Sequence, residues 1–195
     1  MNNPLRLFIA IELSIQIQQA LVDLIHQISP LADRSVRWVT QDHLHLTLKF
    51  LGDTPTTLLP GLNTVLAAVA NAQRGFELSA QGCGVFPNPN RPRVLWAGVT
   101  CPPELSNLQK SLEMQLMPLG YKPEDRPFSP HLTLGRVSDS ADAEKMRIVV
   151  KALQEHQKSE FGSVNIQKFT LFQSTLTPKG PLYTPLKRFS FAEKA

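Results

Sequence analysis

The chain has 195 residues, a net charge of +4 and two cysteines. At 42% hydrophobic and 18% charged it is a soluble globular sequence, long enough to bury a real core and not a disordered one. Cys83 and Cys101 form no CxxC and no ligand grouping, which argues against a disulfide scaffold and a cysteine-zinc site. The N-terminal apolar run is too short for a signal peptide, and no stretch approaches a membrane span, so a cytoplasmic home is expected. The pI near 9.2 suits an anionic ligand.

In chain order, Leu5 to Leu13 reads as a strand. Ser14 is a plausible N-cap for a helix carrying Ile17, Leu21, Leu24, Ile25 and Ile28, which Pro30 is expected to end. Val36 to Thr40 is extended, and an alternating strand follows to Gly52. Asp53-Thr54-Pro55 opens a helix with Leu62, Leu66 and Val69 on its apolar face. Phe76 to Phe86 is a strand bent around Gly82 and Gly84. The Pro- and Asn-rich stretch Pro87 to Arg93 reads as a linker.

The order then repeats. Val94 to Val99 is a strand, and Pro103 suits the first turn of a leucine-striped helix that Gly120 stops. The loop from Lys122 to Pro130 leads into a second alternating strand. Ser140 is expected to cap a helix with Met146, Val149, Val150 and Leu153 inward. Phe161 to Leu176 reads as one long strand, and Leu182 to Phe191 as the last. His26 and His156 read as structural residues on helices.

One tetrapeptide occurs twice: His45-Leu46-Thr47-Leu48 and His131-Leu132-Thr133-Leu134. Side chains two apart on a strand share a face. Each copy therefore sets an imidazole beside a hydroxyl, opposite its leucines. The spacings around the copies match as well: Phe8 to His45 is 37 residues and Leu95 to His131 is 36. The pattern is an internal duplication with halves at about 5–86 and 94–176 and a closing strand at 182–191, in a single domain spanning 1–195. It predicts an α+β fold of two pseudo-symmetric lobes, antiparallel sheets lining a central cleft and helices outside.

Two imidazoles across a cleft can take and give a proton on opposite sides of a phosphorus centre. Thr47 and Thr133 can donate to the non-bridging oxygens, and Arg136 can add a cation. No Asp/Glu/His set of the kind that holds magnesium is evident, so metal-free, cofactor-free chemistry on a strained cyclic phosphodiester fits. His43 leaves alternatives open. His43-Leu44-His45 resembles the start of a histidine-triad motif, though Thr47 stands where its third His belongs. With His131, the pair could also hold zinc. A non-catalytic module that binds RNA ends is a further alternative. Lys49 is expected on the face of His45 and Thr47. Arg91, Arg93, Lys122 and Arg126 either rim the cleft and contact RNA phosphates or are solvated loop charges. Phe128 reads as a loop anchor, and Trp38 and Trp96 as core.

The paired motifs in their contexts HLTLKFLG and SPHLTLGR, with RLFIAIEL, VRWV, RVLWAGV and YTPLKRF around them, resemble the 2H phosphoesterase superfamily. Within it the chain is similar to the bacterial RNA 2′,3′-cyclic phosphodiesterases, also called the 2′-5′ RNA ligase family. The resemblance implies metal-independent hydrolysis of RNA or nucleotide 2′,3′-cyclic phosphate ends to 2′-phosphomonoesters, with weak reversible 2′-5′ joining. It implies His45 and His131 as the acid/base pair and Thr47, Thr133 and Arg136 as phosphate binders. The working assignment has His131 activating water and His45 protonating the 3′ oxygen, a direction the sequence does not fix. A monomer without membrane attachment is expected. Two positions depart from the pattern: Ile9 stands where some members carry an aromatic, and His43 where Asn is more usual.

Overall fold

The fold is that of a computed structural model, which describes residues 3–178 and 180–192. Its strands are β1 (Leu5–Glu12), β2 (Val36–Trp38), β3 (His45–Thr54), β4 (Phe76–Phe86), β5 (Val94–Val99), β6 (His131–Val137), β7 (Glu160–Ile166), β8 (Lys168–Thr177) and β9 (Gly180–Ser190). Its helices are α1 (Ile15–Ala32), α2 (Leu59–Asn71), α3 (Pro103–Leu116) and α4 (Ala143–Glu155). All strand pairs are antiparallel, in the order β7-β4-β5-β6-β3-β1-β8-β9, with β2 also on β6. The sheet curls into a half-barrel. The expected α+β architecture with helices outside is therefore present, and the sheets of the two halves join through β3 and β6.

Local chemistry explains several element ends. The Ser14 hydroxyl accepts from the Ile17 N–H and starts α1. Pro30 does not end that helix, which runs on to Ala32. So close to the C-terminus, a proline deletes one hydrogen bond and the last turn survives. Helix α4 is capped by Asp142, which accepts from the Lys145 N–H at 2.8 Å, rather than by Ser140. A carboxylate at the cap also meets the helix dipole. The Pro87–Arg93 stretch is a hairpin loop rather than a linker, closed by the Arg93 N–H on the Phe86 carbonyl at 2.6 Å. The expected strand from Phe161 to Leu176 is two strands: β7 pairs with β4 on one side of the sheet, and β8 with β1 on the other.

One hydrophobic core lies between the sheet and the helices and draws on both halves. Helix α1 packs on α4 and α2 on α3. From β1 the core takes Leu7, Ile9 and Ile11, from β3 Leu46, Leu48 and Leu51, and from β6 Leu132 and Leu134. The opposite face of the sheet has its own small apolar cluster of Phe8, Ala10 and Phe172, with Tyr183 against it.

Lys49 is not on the face of His45 and Thr47. It is buried on the core side, where Nζ donates to Glu113 Oε2 at 2.5 Å and to the Lys122 carbonyl at 2.9 Å. Glu113 also accepts from Gln109 Nε2 and from the Glu124 N–H. This buried pair ties β3 to α3 and to the loop that precedes β6. Lys49→Ala leaves the partly buried Glu113 carboxylate without its cation and is expected to cost about 3 kcal/mol, the lower end for a buried pair, in urea unfolding. The double change Lys49→Met with Glu113→Leu removes both charges and is expected to recover most of that loss.

Candidate functional site

Strands β3 and β6 touch where Leu46 pairs with Leu132, both fully buried. Residues opposite one another in an antiparallel pair share a face. At this crossing, His45 therefore lies across from Thr133, and Thr47 across from His131. The two histidines are diagonal neighbours, which ordinary sheet geometry sets roughly 7–8 Å apart at the backbone.

The same irregularity occurs in both motif strands. On β3, Ala10 pairs with Thr47 and Ile9 with Lys49, so Leu48 is an extra residue. On β6, Trp96 pairs with Thr133 and Leu95 with Gly135, so Leu134 is the extra residue. A bulge of one residue shifts the alternation by one. That shift sends Lys49 and Gly135 inward, and it brings Phe50 and Arg136 onto the His/Thr face. Arg136 lies five positions after His131, and five is an odd offset that a regular strand would point away. Phe50 holds the same offset from His45 and is 60% exposed. Reading the motif as a regular strand misses Phe50. The shared five-residue offset is the available signal.

The histidines have unlike surroundings. The ring of His45 lies 5.1 Å from Phe8 and 5.3 Å from Tyr183, with Phe172 beyond at 6.3 Å. Burial among these aromatics lowers the His45 pKa to about 4. A hydrogen bond to the backbone of His43 opposes the shift, and the neighbouring His43 ring adds to it. His131 sits edge-on to Phe86 at 5.0 Å, and Phe86 leans on Trp96. Trp96 is thus on the site face beside Thr133, not in the core. Its ring lies over Gly84, where any Cβ would collide with it. The Nδ1 of His131 is 2.8 Å from the Ser129 carbonyl. A carbonyl only accepts, so Nδ1 carries a proton and Nε2 of the neutral ring is left with its lone pair.

Around this centre, Tyr183 is near enough to Arg136 and Arg6 for their charges to favour its phenolate, although burial wins and raises its pKa. Glu12, opposite His45 on β1, is held by Arg188 at 2.9 and 3.0 Å and by the Thr170 hydroxyl at 2.8 Å. The bond from Arg188 is the main reason its pKa is lowered. His43 is in a 3-10 turn (Gln41–His43) rather than on the strand, with its ring 4.6 Å from Tyr183. Arg91 and Arg93 lie away from this face, in the β4–β5 hairpin loop, where Arg93 pairs with Asp139. Lys122 and Arg126 are exposed loop residues, and Phe128 packs against the core. Among the described residues, no three His, Cys, Asp or Glu side chains gather in a metal-binding group, and no helix is long and apolar enough to cross a membrane.

Residues 16–175 match the family described as the 2′-5′ RNA ligase superfamily. The chain belongs to this superfamily. It is 40% identical over 158 residues to the RNA 2′,3′-cyclic phosphodiesterase of Methanothermobacter thermautotrophicus, covering 81% of this chain and 84% of that one. It is 35% identical over 185 residues to the enzyme of the same name from Archaeoglobus fulgidus, covering 95% and 99%. Among solved structures, E. coli LigT complexed with 3′-AMP superposes with a TM-score of 0.78 at 30% identity, over 97% of this chain and 99% of that one. A Thermus thermophilus protein gives a TM-score of 0.81 at 31% identity, over 97% and 100%. The fold that carries the twin-motif face is thus shared with these proteins along nearly its whole length.

The buried state of His45 has a stability consequence. A histidine whose folded pKa is below its unfolded value of about 6.5 stabilises the fold fully above that pH. The contribution is lost as pH falls from 6.5 toward about 4, because the unfolded chain binds the proton more readily. His45→Gln is therefore expected to flatten the fall in unfolding free energy across that window, read by urea titrations at a series of pH values.

Proposed function

We propose that the twin His/Thr face hydrolyses RNA or nucleotide 2′,3′-cyclic phosphodiesters to 2′-phosphomonoesters by two-histidine general acid/base catalysis. The observation that carries this reading is the Leu46–Leu132 crossing, which sets two imidazoles diagonally with a hydroxyl beside each. The chain's relatives, up to 40% identical, are named for RNA 2′,3′-cyclic phosphodiesterase activity, and the chain is an enzyme of that class. E. coli LigT was also crystallised with phosphate, an anion of the kind the proposed reaction handles.

In the proposed step, His131 Nε2 takes a proton from water as the water oxygen attacks phosphorus. The bond from phosphorus to O3′ breaks, and His45 gives O3′ a proton. Thr47 and Thr133 donate to the non-bridging oxygens, where charge builds, and Arg136 offsets that charge. Burial keeps His45 neutral in the empty site. The anionic phosphate beside it restores its affinity for a proton, so binding brings the acid with it. A 5′-hydroxyl in place of water would, by the same displacement, form a 2′-5′ phosphodiester, and the reverse reaction would cleave it.

The expected turnover of a 2′,3′-cyclic nucleotide yields the 2′-phosphate and persists in excess chelator. His45→Ala and His131→Ala are each expected to lower kcat by roughly 10²–10⁴-fold. Arg136→Ala is expected to act mainly on KM. Calorimetry of 2′-AMP binding in buffers of different ionisation enthalpy should show proton uptake near neutral pH, lost in His45→Gln. Turnover abolished by chelator, or a 3′-phosphate product, would contradict this mechanism.

A further inference from the structure

We propose that Arg37 binds the phosphodiester on the 5′ side of the terminal nucleotide, and so makes the site select RNA chain ends over free nucleosides with a cyclic phosphate. The proposal rests on the function proposed above, including the placing of O3′ at His45, and adds a residue that decides which substrates are taken up.

Arg37 is the middle residue of β2 and stands directly opposite Arg136 in the antiparallel pair of β2 with β6. Opposed residues share a face, so Arg37 joins Arg136 on the His/Thr face. Its neighbours take the other face: Val36 is buried and Trp38 packs on the core, whereas Arg37 is exposed. The backbone around it is fixed. The Val39 N–H donates to the Leu134 carbonyl at 3.0 Å and the Ser138 N–H to the Ser35 carbonyl at 2.8 Å, one bond on either side of the pair. Gly135 makes the close approach of β2 possible, since a Cβ there would stand 2.7 Å from Val36 Cγ1 and 3.1 Å from Trp38 Cε3.

Two like charges directly opposite one another on a sheet destabilise it. A nearby acid would offset that cost, yet among the described residues neither Arg37 nor Arg136 is in an ion pair. Arg136 alone can serve the reacting phosphate. An uncompensated pair of arginines beside that phosphate leaves one cation for a second anion.

The place of Arg37 says which anion. His45 lies across from Thr133, and Arg37 lies across from Arg136 on the same edge of β6, three residues further on, about 10 Å of strand. Arg37 is therefore beyond His45, on the side away from His131. With water at His131, an in-line displacement turns the leaving O3′ and its ribose toward His45. The next anionic group of the chain is the phosphodiester at O5′ of that same nucleotide. Arg136 is near enough to Tyr183, whose ring lies 5.3 Å from that of His45, for its charge to be felt there, so it leans back over the site. Arg37 is left for the next phosphate, whose oxygens a guanidinium meets with two parallel N–H donors.

The test compares the unaltered protein with Arg37→Gln on three substrates: a nucleoside 2′,3′-cyclic phosphate, a diribonucleotide ending in a 2′,3′-cyclic phosphate, and the same dinucleotide with an uncharged methylphosphonate linkage. On the charged dinucleotide, kcat/KM of the variant is expected to fall about tenfold, mainly through KM, as one charge-assisted contact is lost. On the other two substrates the proteins should be equal, and the unaltered protein should lose the same tenfold when the linkage loses its charge. Equal losses on all three substrates would put Arg37 on the reacting phosphate, and no loss on any would leave it a solvated charge. Either result overturns the proposal and leaves the function above standing. If the unaltered protein turns over none of the three, that function fails instead. Calorimetry with a 2′-phosphate-ended dinucleotide and with a nucleoside 2′-phosphate then decides on Arg37, whose loss must weaken binding of the dinucleotide alone.

Discussion

The site depends on the pairing of Leu46 with Leu132. Both side chains are driven out of water into the shared core, and burying each is worth about 1.5–3 kcal/mol. Because side chains alternate along a strand, sending these leucines inward leaves their neighbours no choice of face. His45, Thr47, His131 and Thr133 must emerge together on the other side. The hydrophobic effect thus assembles a polar site that no polar interaction within it would hold together.

Much of this is legible in the letters. The duplicated HLTL, its even His-to-Thr spacing and its buried leucines carry the strand, the face and the pairing of like with like. The cap at Ser14 and the proline start of α3 are readable because single side chains decide them. The bulges are not. Nothing in Leu48-Lys49 announces an extra residue, and Gly135 is only a general mark of a bulge or close approach; which residue is extra is decided by how the strand fits its partner across the ladder. Strict alternation consequently puts Lys49 on the wrong face and hides Phe50. The hairpin at Pro87–Arg93 reads as a linker because Pro and Asn mark any turn, and only the pairing of β4 with β5 tells the two apart. The break between β7 and β8 falls in a stretch without a breaker residue, where neighbouring strands rather than local propensity divide the chain.

The two halves of the face are matched in backbone and unlike in environment. The same bulge places Arg136 on one motif strand and Phe50 on the other, so one copy offers a cation and the other an exposed ring. The aromatic wall of Phe8, Phe172 and Tyr183 dries the surroundings of His45, whereas the Ser129 carbonyl fixes the tautomer of His131. Two identical residues on a pseudo-symmetric frame thus meet different neighbours, an aromatic wall around one and a backbone carbonyl on the other.

The central claim is that the two imidazoles act on one displacement as a unit. A double-mutant cycle under single-turnover conditions, with His45→Ala, His131→Ala and the double variant on a 2′,3′-cyclic nucleotide, measures this directly. Residues that share one transition state should be strongly non-additive, with the double variant losing little beyond either single change. Additive losses would mean that the histidines act independently, and the paired-histidine account would be wrong.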